Sequence, residues 1–242
     1  MKRFMNVLFA MLITFCIAGG AHAIPLSDLF NGGSISAGDK LFDRWSLVSY
    51  YTSDPARSFN AANINVTALN DGGMNPGPGL NFSVLNNELS VSGDGVYAFI
   101  DLMFGFRVLP SAGNLINGAS LSFGFAALSN PNGLQDLGDY IHEDIGKTPG
   151  AFDLATMAAE FSYPSSTAGL NDSAGFAGNP EVYVTKNILV WAADVNDTAA
   201  LYSFEQRFSQ TPAVPEPSTL FLLGGGLAGL AVLRKKMGGR AK

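Results

Sequence analysis

Few residues in this chain are equipped for chemistry. Its 242 residues include two histidines, His22 and His142, and one cysteine, Cys16. His142 is followed by Glu143 and Asp144, so an imidazole and two carboxylates stand in a row. A Ser-His-Asp system would have to use His142. Consecutive residues alternate across a strand, however, so these three do not converge on one point. The expected place for His142 is an exposed loop. Two carboxylates about 5 to 10 Å apart would support glycoside hydrolysis, but with 20 Asp and Glu in the chain some such pair always exists and discriminates nothing. Asp194-Val195-Asn196-Asp197 and Asn70-Asp71 carry oxygen ligands at near-calcium spacing. The first lacks the Gly and closing Glu of an EF-hand, and turn formation by Asn and Asp is the commoner explanation for both. Tyr50, Tyr51 and Trp191 have rings that can stack on sugars, although strand residues of this type more often fill a core. No G-x-S-x-G, H-E-x-x-H, P-loop or G-x-G-x-x-G fingerprint stands in a usable context. The sequence therefore assigns no catalytic residue, no metal site and no cofactor, and the expectation is a protein that is not an enzyme.

The elements that must position these residues read as strands. Val96, Ala98, Ile100, Leu102, Phe104, Phe106 and Val108 form one apolar face, with Asp101 and Arg107 on the other. Ile64, Val66 and Ala68 alternate with Asn65 and Thr67; Leu80, Phe82 and Val84 alternate with Asn81 and Ser83. Leu121, Phe123 and Phe125, then Val182, Val184, Ile188 and Val190, then Tyr202, Phe204 and Phe208 continue the pattern. One-sided alternation of this kind marks half-buried antiparallel strands. Turn chemistry separates the runs at Asn31-Gly32-Gly33, Asn70-Asp71-Gly72-Gly73, Ser92-Gly93-Asp94-Gly95 and Asn130-Pro131-Asn132-Gly133. Residues 152–161 fit a short helix or a strand, and residues 171–180 read as a long loop. The predicted fold is all-β, an antiparallel β-sandwich of jelly-roll-like or Ig-like type with about eight to eleven strands.

The two ends are not part of that body. Lys2 and Arg3 precede an apolar run, Phe4 to Ala18, and the small-x-small pair Ala21 and Ala23 closes it. This is the pattern of a secretory signal peptide, residues 1–23, with cleavage after Ala23. At the other end, Val214-Pro215-Glu216-Pro217-Ser218-Thr219 is followed by a Gly-rich apolar run to Leu233 and then Arg234, Lys235 and Lys236. Ser218 to Leu233 would make a helix roughly 24 Å long, short of the roughly 30 Å hydrocarbon layer. The expectation is a single weak transmembrane helix, about residues 219–233, whose basic stop stays in the cytoplasm. The body, residues 24–210, then lies on the periplasmic side, and residues 211–242 form linker, anchor and tail.

The order of proline-flanked acid, short Gly/Leu/Ala helix and Arg-Lys-Lys stop resembles the PEP-CTERM sorting domain of exported proteins from Gram-negative bacteria that make extracellular polysaccharide. That resemblance implies recognition at Pro215, Glu216 and Pro217 and cleavage nearby by an exosortase, an integral-membrane transpeptidase-like enzyme. The two prolines fix an extended backbone and Glu216 supplies one acidic handle between them. The implied partners are the exosortase, the inner membrane transiently, and exopolysaccharide. The implied destination is the cell surface or the medium. Gly38-Asp39-Lys40-Leu41-Phe42, Gly79-Leu80-Asn81-Phe82 and the closing Phe204 to Gln210 segment are similar to one group of these proteins.

Composition narrows the function further. From Ile24 to Val214 the chain has seven Lys and Arg against nineteen Asp and Glu, a formal charge of −12. An acidic body argues against nucleic acid and against anionic lipid as partners. No cysteine follows Cys16, so the exported body forms no disulfide and must be stable through packing. The expected role is structural or adhesive at a polysaccharide-bearing surface. The alternative is a secreted polysaccharide-modifying enzyme, a lyase or glycosidase, on a sandwich scaffold.

Overall fold

Alternating apolar residues become strands through nearly the whole body. A computed structural model describes residues 22–130, 136–163 and 169–213. Ala21, the apolar leader before it, the sorting residues Pro215 to Pro217, the expected helix at 219–233 and the basic stop Arg234 to Lys236 lie outside the described residues.

Strand β1 (Ile24–Pro25) runs into a single helical turn, α1 (Leu26–Phe30), that buries Leu26 and Leu29. Then follow β2 (Ile35–Ala37), β3 (Lys40–Thr52), β4 (Ile64–Leu69), β5 (Gly79–Val84), β6 (Ser90–Ser92) and β7 (Ala98–Pro110). The second half supplies β8 (Asn114–Ser129), β9 (Leu137–Gly146), β10 (Ala155–Tyr163), β11 (Asn171–Asn179), β12 (Val182–Ala192) and β13 (Thr198–Pro212). They form two antiparallel sheets. One has the order β1-β4-β5-β13-β8-β11, with β6 also on β13; the other has the order β10-β9-β12-β7-β3-β2.

The core lies between the two sheets, and aromatic rings dominate its centre. Phe82 and Phe204 are opposite one another on β5 and β13, stacked with centroids 4.5 Å apart. From the facing sheet, Trp45 stacks on Phe106 at 4.5 Å, Phe42 reaches Phe208 at 5.8 Å, and Phe104 reaches Phe82 at 5.9 Å. Polar side chains share this layer too: Asp139, Glu143, Lys186 and Gln206 are fully buried.

Several sequence expectations change. Val96 is 82% exposed in a turn, because the β7 face begins at Ala98. Residues 155–163 resolve as strand β10, whose inner face is made of Met157 and Ala159. Residues 171–179, expected as a loop, form edge strand β11 on β8. Small residues there give no apolar alternation to read. The described residues hold thirteen strands, more than expected, because β1, β2 and β6 have only two or three residues each.

Phe204→Ala is expected to lower stability by about 3 to 5 kcal/mol, the usual cost of truncating a buried ring, read by urea unfolding of the body. Asp139 gives a pH signature. Burial without a hydrogen-bond partner pushes its carboxyl up to about 8. The folded state then holds a proton that the unfolded chain releases near pH 4. Stability is therefore full below about pH 4 and falls as pH rises toward 8, by up to about 1.4 kcal/mol per pH unit. Asp139→Asn should flatten that decline in unfolding curves taken between pH 5 and 9.

Candidate functional site

Burial of Val182, Val184, Lys186, Ile188 and Val190 turns the alternate residues of β12 outward: Tyr183, Thr185, Asn187, Leu189 and Trp191. On the neighbouring β9 the inner set is Leu137, Asp139, Ile141, Glu143 and Ile145, which leaves Tyr140, His142 and Asp144 outside. The outer face of the six-stranded sheet thus gathers the chain's most chemically capable residues.

His142 is on this strand, not in a loop. Glu143 points into the core, as alternation requires, so the three consecutive residues separate. His142 and Asp144, two apart, do meet: Nε2 lies 3.2 Å from Oδ1. On the other side the Tyr140 hydroxyl is 3.4 Å from Nδ1, with the two rings stacked at 6.2 Å. Burial, followed by the charges of Glu160 and Asp144, raises the Tyr140 phenol, so the ring presents a neutral hydroxyl. Next to His142 in register, Asn187 donates to Asp101 Oδ1 at 2.8 Å.

One end of the face is shaped by a bulge in β3. Pairing with β7 slips between Asp43 and Ser46, which inserts a residue and redirects its neighbours. Trp45 turns inward. Arg44, with φ at 55°, turns outward and donates to the Tyr183 hydroxyl at 2.8 Å. Among the described residues Arg44 forms no ion pair, whereas Arg107 beside it is held by both oxygens of Asp43 and by Glu181 at 2.9 Å. That hydrogen bonding keeps the Asp43 carboxyl below its usual range. Between Arg44, Tyr183, Thr185, Ser46 and Asp144 lies a cleft of about 330 Å³, with Met103 and Val48 as its apolar patch. Gly105 forms its floor; a Cβ there would come within 2.9 Å of the Val184 carbonyl.

The opposite end carries an indole. Trp191 Nε1 donates to Asp136 Oδ1 at 2.9 Å, and the six-membered ring lies over Gly138, where a Cβ would stand 2.7 Å from Cη2. Phe99 is its register neighbour on β7, and Tyr97 packs against Phe99 at 5.9 Å. Tyr51, 64% exposed, belongs to the same face. The expectation that these aromatics fill the core therefore fails for Tyr51 and Trp191. It holds in part for Tyr50, which stacks on Phe59 at 5.2 Å against the core.

The two Asx clusters have local work. Asp197 N–H donates to the Asp194 carbonyl at 3.0 Å, closing a turn. Asn70 Oδ1 accepts from the Gly38 N–H at 2.8 Å, and Asp71 pairs with Arg207 at 3.2 Å.

Ala23 is half-buried and directly precedes β1, where Ile24 pairs with Val66. At the far end β13 stops at Pro212, and residues 213–236 match the family model of the PEP-CTERM protein-sorting motif. The chain carries a PEP-CTERM sorting motif. The matched residues include Pro215, Glu216, Pro217 and Arg234 to Lys236, and the PEP-CTERM motif implies an exported protein processed by an exosortase. Among the described residues, which exclude the motif, no helix is long and apolar enough to cross a membrane. No curated protein matches the chain. Two solved carbohydrate-binding modules give weak overlays. TmCBM61, determined with beta-1,4-galactotriose, is 13% identical, covers 70% of this chain and 89% of its own, and has a TM-score of 0.25. TmCBM27, studied for mannan recognition, is 9% identical, covers 70% and 99%, and has a TM-score of 0.26. Overlays this loose carry no weight for the body's ligand.

Proposed function

We propose that this is a non-catalytic exported protein, delivered by an exosortase to the cell surface or the medium, where the outer face of its six-stranded sheet contacts exopolysaccharide. The observation that carries this reading is the pair of features at the two ends of β12. A pinned, partly exposed indole stands at Trp191, and a cleft with a guanidinium that forms no ion pair among the described residues, with hydroxyls and an apolar patch, stands at Tyr183. They are roughly 26 Å apart along the strand, a span suited to several units of an extended glycan. Rings supply apolar contact for sugar faces and the polar groups fix orientation. The same face carries Asp101, Asp144 and Glu160, so the favoured polymer is neutral. Signal cleavage after Ala23 would leave the sandwich whole, because the next residue is already in β1. The short apolar segment near 219–233 would then hold the body on the periplasmic side only until processing.

One arrangement favours the second reading, a lyase or glycosidase: Tyr140, His142 and Asp144 meet on one strand face. His142→Ala separates the two. It should leave polysaccharide turnover at the wild-type background under the binding reading, and abolish measurable turnover under the enzymatic one.

Glycan arrays and pull-down from native matrix test the binding face. Trp191→Ala and Arg44→Ala are each expected to weaken retention about tenfold or more, equivalent to about 1.4 kcal/mol per decade. A wild-type body that diffuses freely and retains no polysaccharide would sink the proposal. For sorting, mass spectrometry of the secreted product should find a C-terminus near the motif, without Lys242. Glu216→Ala should leave the tail attached and the protein in the membrane fraction. An intact Lys242 on most secreted wild-type copies would refute processing.

A further inference from the structure

An amine in the middle of an apolar layer is costly unless something other than water satisfies it. Lys186 is such an amine. It occupies an inward position of β12 between Val184 and Ile188, is fully buried, and has its Nζ 5.4 Å from the centroid of the Phe204 ring. Nζ donates to Glu143 on β9 and, at 2.8 Å, to Gln206 Oε1 on β13. Both partners are themselves fully buried. As an ion pair the cluster is incomplete: neither Glu143 Oε1 nor Gln206 Nε2 has a hydrogen bond of good geometry among the described residues. The Glu143 and Gln206 side chains are nevertheless close enough for the amide to act on the carboxyl. Burial lowers the Lys186 amine and raises the Glu143 carboxyl. Both effects favour a neutral amine beside a protonated acid.

A neutral amine held against a carboxamide, with a carboxyl to move protons and all three groups shielded from bulk solvent, is an acyl-transfer arrangement. We propose that Lys186 and Gln206 become joined by an intramolecular isopeptide bond, with Glu143 as the proton-transfer group. Nζ attacks the Gln206 side-chain carbonyl carbon, and the Nζ–Cδ bond forms as the Cδ–Nε2 bond breaks. Glu143 gives its proton to the departing nitrogen and takes one from Nζ, so it ends as it began. Nε2 leaves as ammonia, carrying its own two hydrogens and the one transferred. Nothing is oxidised or reduced, and no co-reactant is needed.

Placement gives the bond a purpose. Lys186 is in the six-stranded sheet and Gln206 in the seven-stranded one, so the new amide would staple the two layers through the core. A disulfide commonly does this in exported domains, and the body has no cysteine from which to make one.

Intact mass spectrometry of the purified wild-type body is the deciding measurement. The expected mass is lighter than the sequence by one ammonia, and after denaturation trypsin should leave Thr148 to Arg207 as one peptide, uncut after the acylated Lys186 and lighter by that same ammonia. Glu143→Gln should restore its full calculated mass and tryptic cleavage after Lys186, and Lys186→Met should show its full calculated mass with no ammonia lost. Should either variant fail to fold, the wild-type digest still decides. A full-mass wild type cleaved by trypsin after Lys186 overturns the proposal. So does loss of one water with Lys186 bonded to Glu143, and so does an ammonia loss that maps to any other residue.

Discussion

Ring-to-ring packing between the two sheets is the contact on which everything else in this molecule depends. Trp45, Phe42, Phe104 and Phe106 from one layer meet Phe82 and Phe208 from the other, and Phe204 stacks on Phe82. Large rigid surfaces of this kind bury much apolar area at little loss of rotamer freedom. They also fix register. A slip of one residue in β7 or β13 would send Phe104 or Phe204 to solvent and bring Met103 or Glu205 inside. That constraint is what commits Tyr183, Thr185, Asn187, Leu189 and Trp191 to the opposite side, so the outer face is a consequence of the core.

The same layer tolerates a small polar island. Lys186, Glu143 and Gln206 stand among phenylalanines, and their positions follow strand alternation as strictly as those of any valine. A buried pair of this kind is weak evidence for stability, because desolvation offsets much of the attraction. Its position is the more telling fact, since it touches β9, β12 and β13 at once. On the other side of the sheet Arg107 is matched by Asp43 and Glu181, and Asp101 accepts a hydrogen bond from Asn187. Arg44 differs because the β3 bulge lifts it out of line, toward a phenol instead of a carboxylate.

What could be read from the amino-acid order was whatever had a strong two-residue period. β4, β5, β7 and most of β12 declare themselves, because Val, Ile, Leu and Phe recur on one side. β11 does not: Asn171, Asp172, Ser173, Ala174 and Gly175 have no apolar face, and pairing with β8 alone makes them a strand. β10 fails similarly, since Ala158 and Ala159 look alike on both faces. The Lys186 site was hidden for the opposite reason, as a charged residue between Val184 and Ile188 looks like a break between two strands. The cleft was illegible because its walls come from β3, β7, β9 and β12, brought together by tertiary pairing and by a bulge at Arg44 that no local pattern announces. Trp191 looked like core material. What turns it outward is the parity set by Val190 and Ala192, and Gly138 beneath it was the one available hint. The C-terminal sorting motif was legible because its residues are contiguous.

β13 ends at Pro212, where β8 alone pairs with it among the described strands, and Pro215 follows only three residues later. Fully extended, that interval reaches about 10 Å. On the proposed recognition at Pro215, the processing enzyme would work almost in contact with the rim of the sandwich, or wait for Thr211 and Pro212 to peel away from Leu115 and Asn114. Under that proposal, clearance for the enzyme would depend on how firmly the final two rungs of that ladder hold.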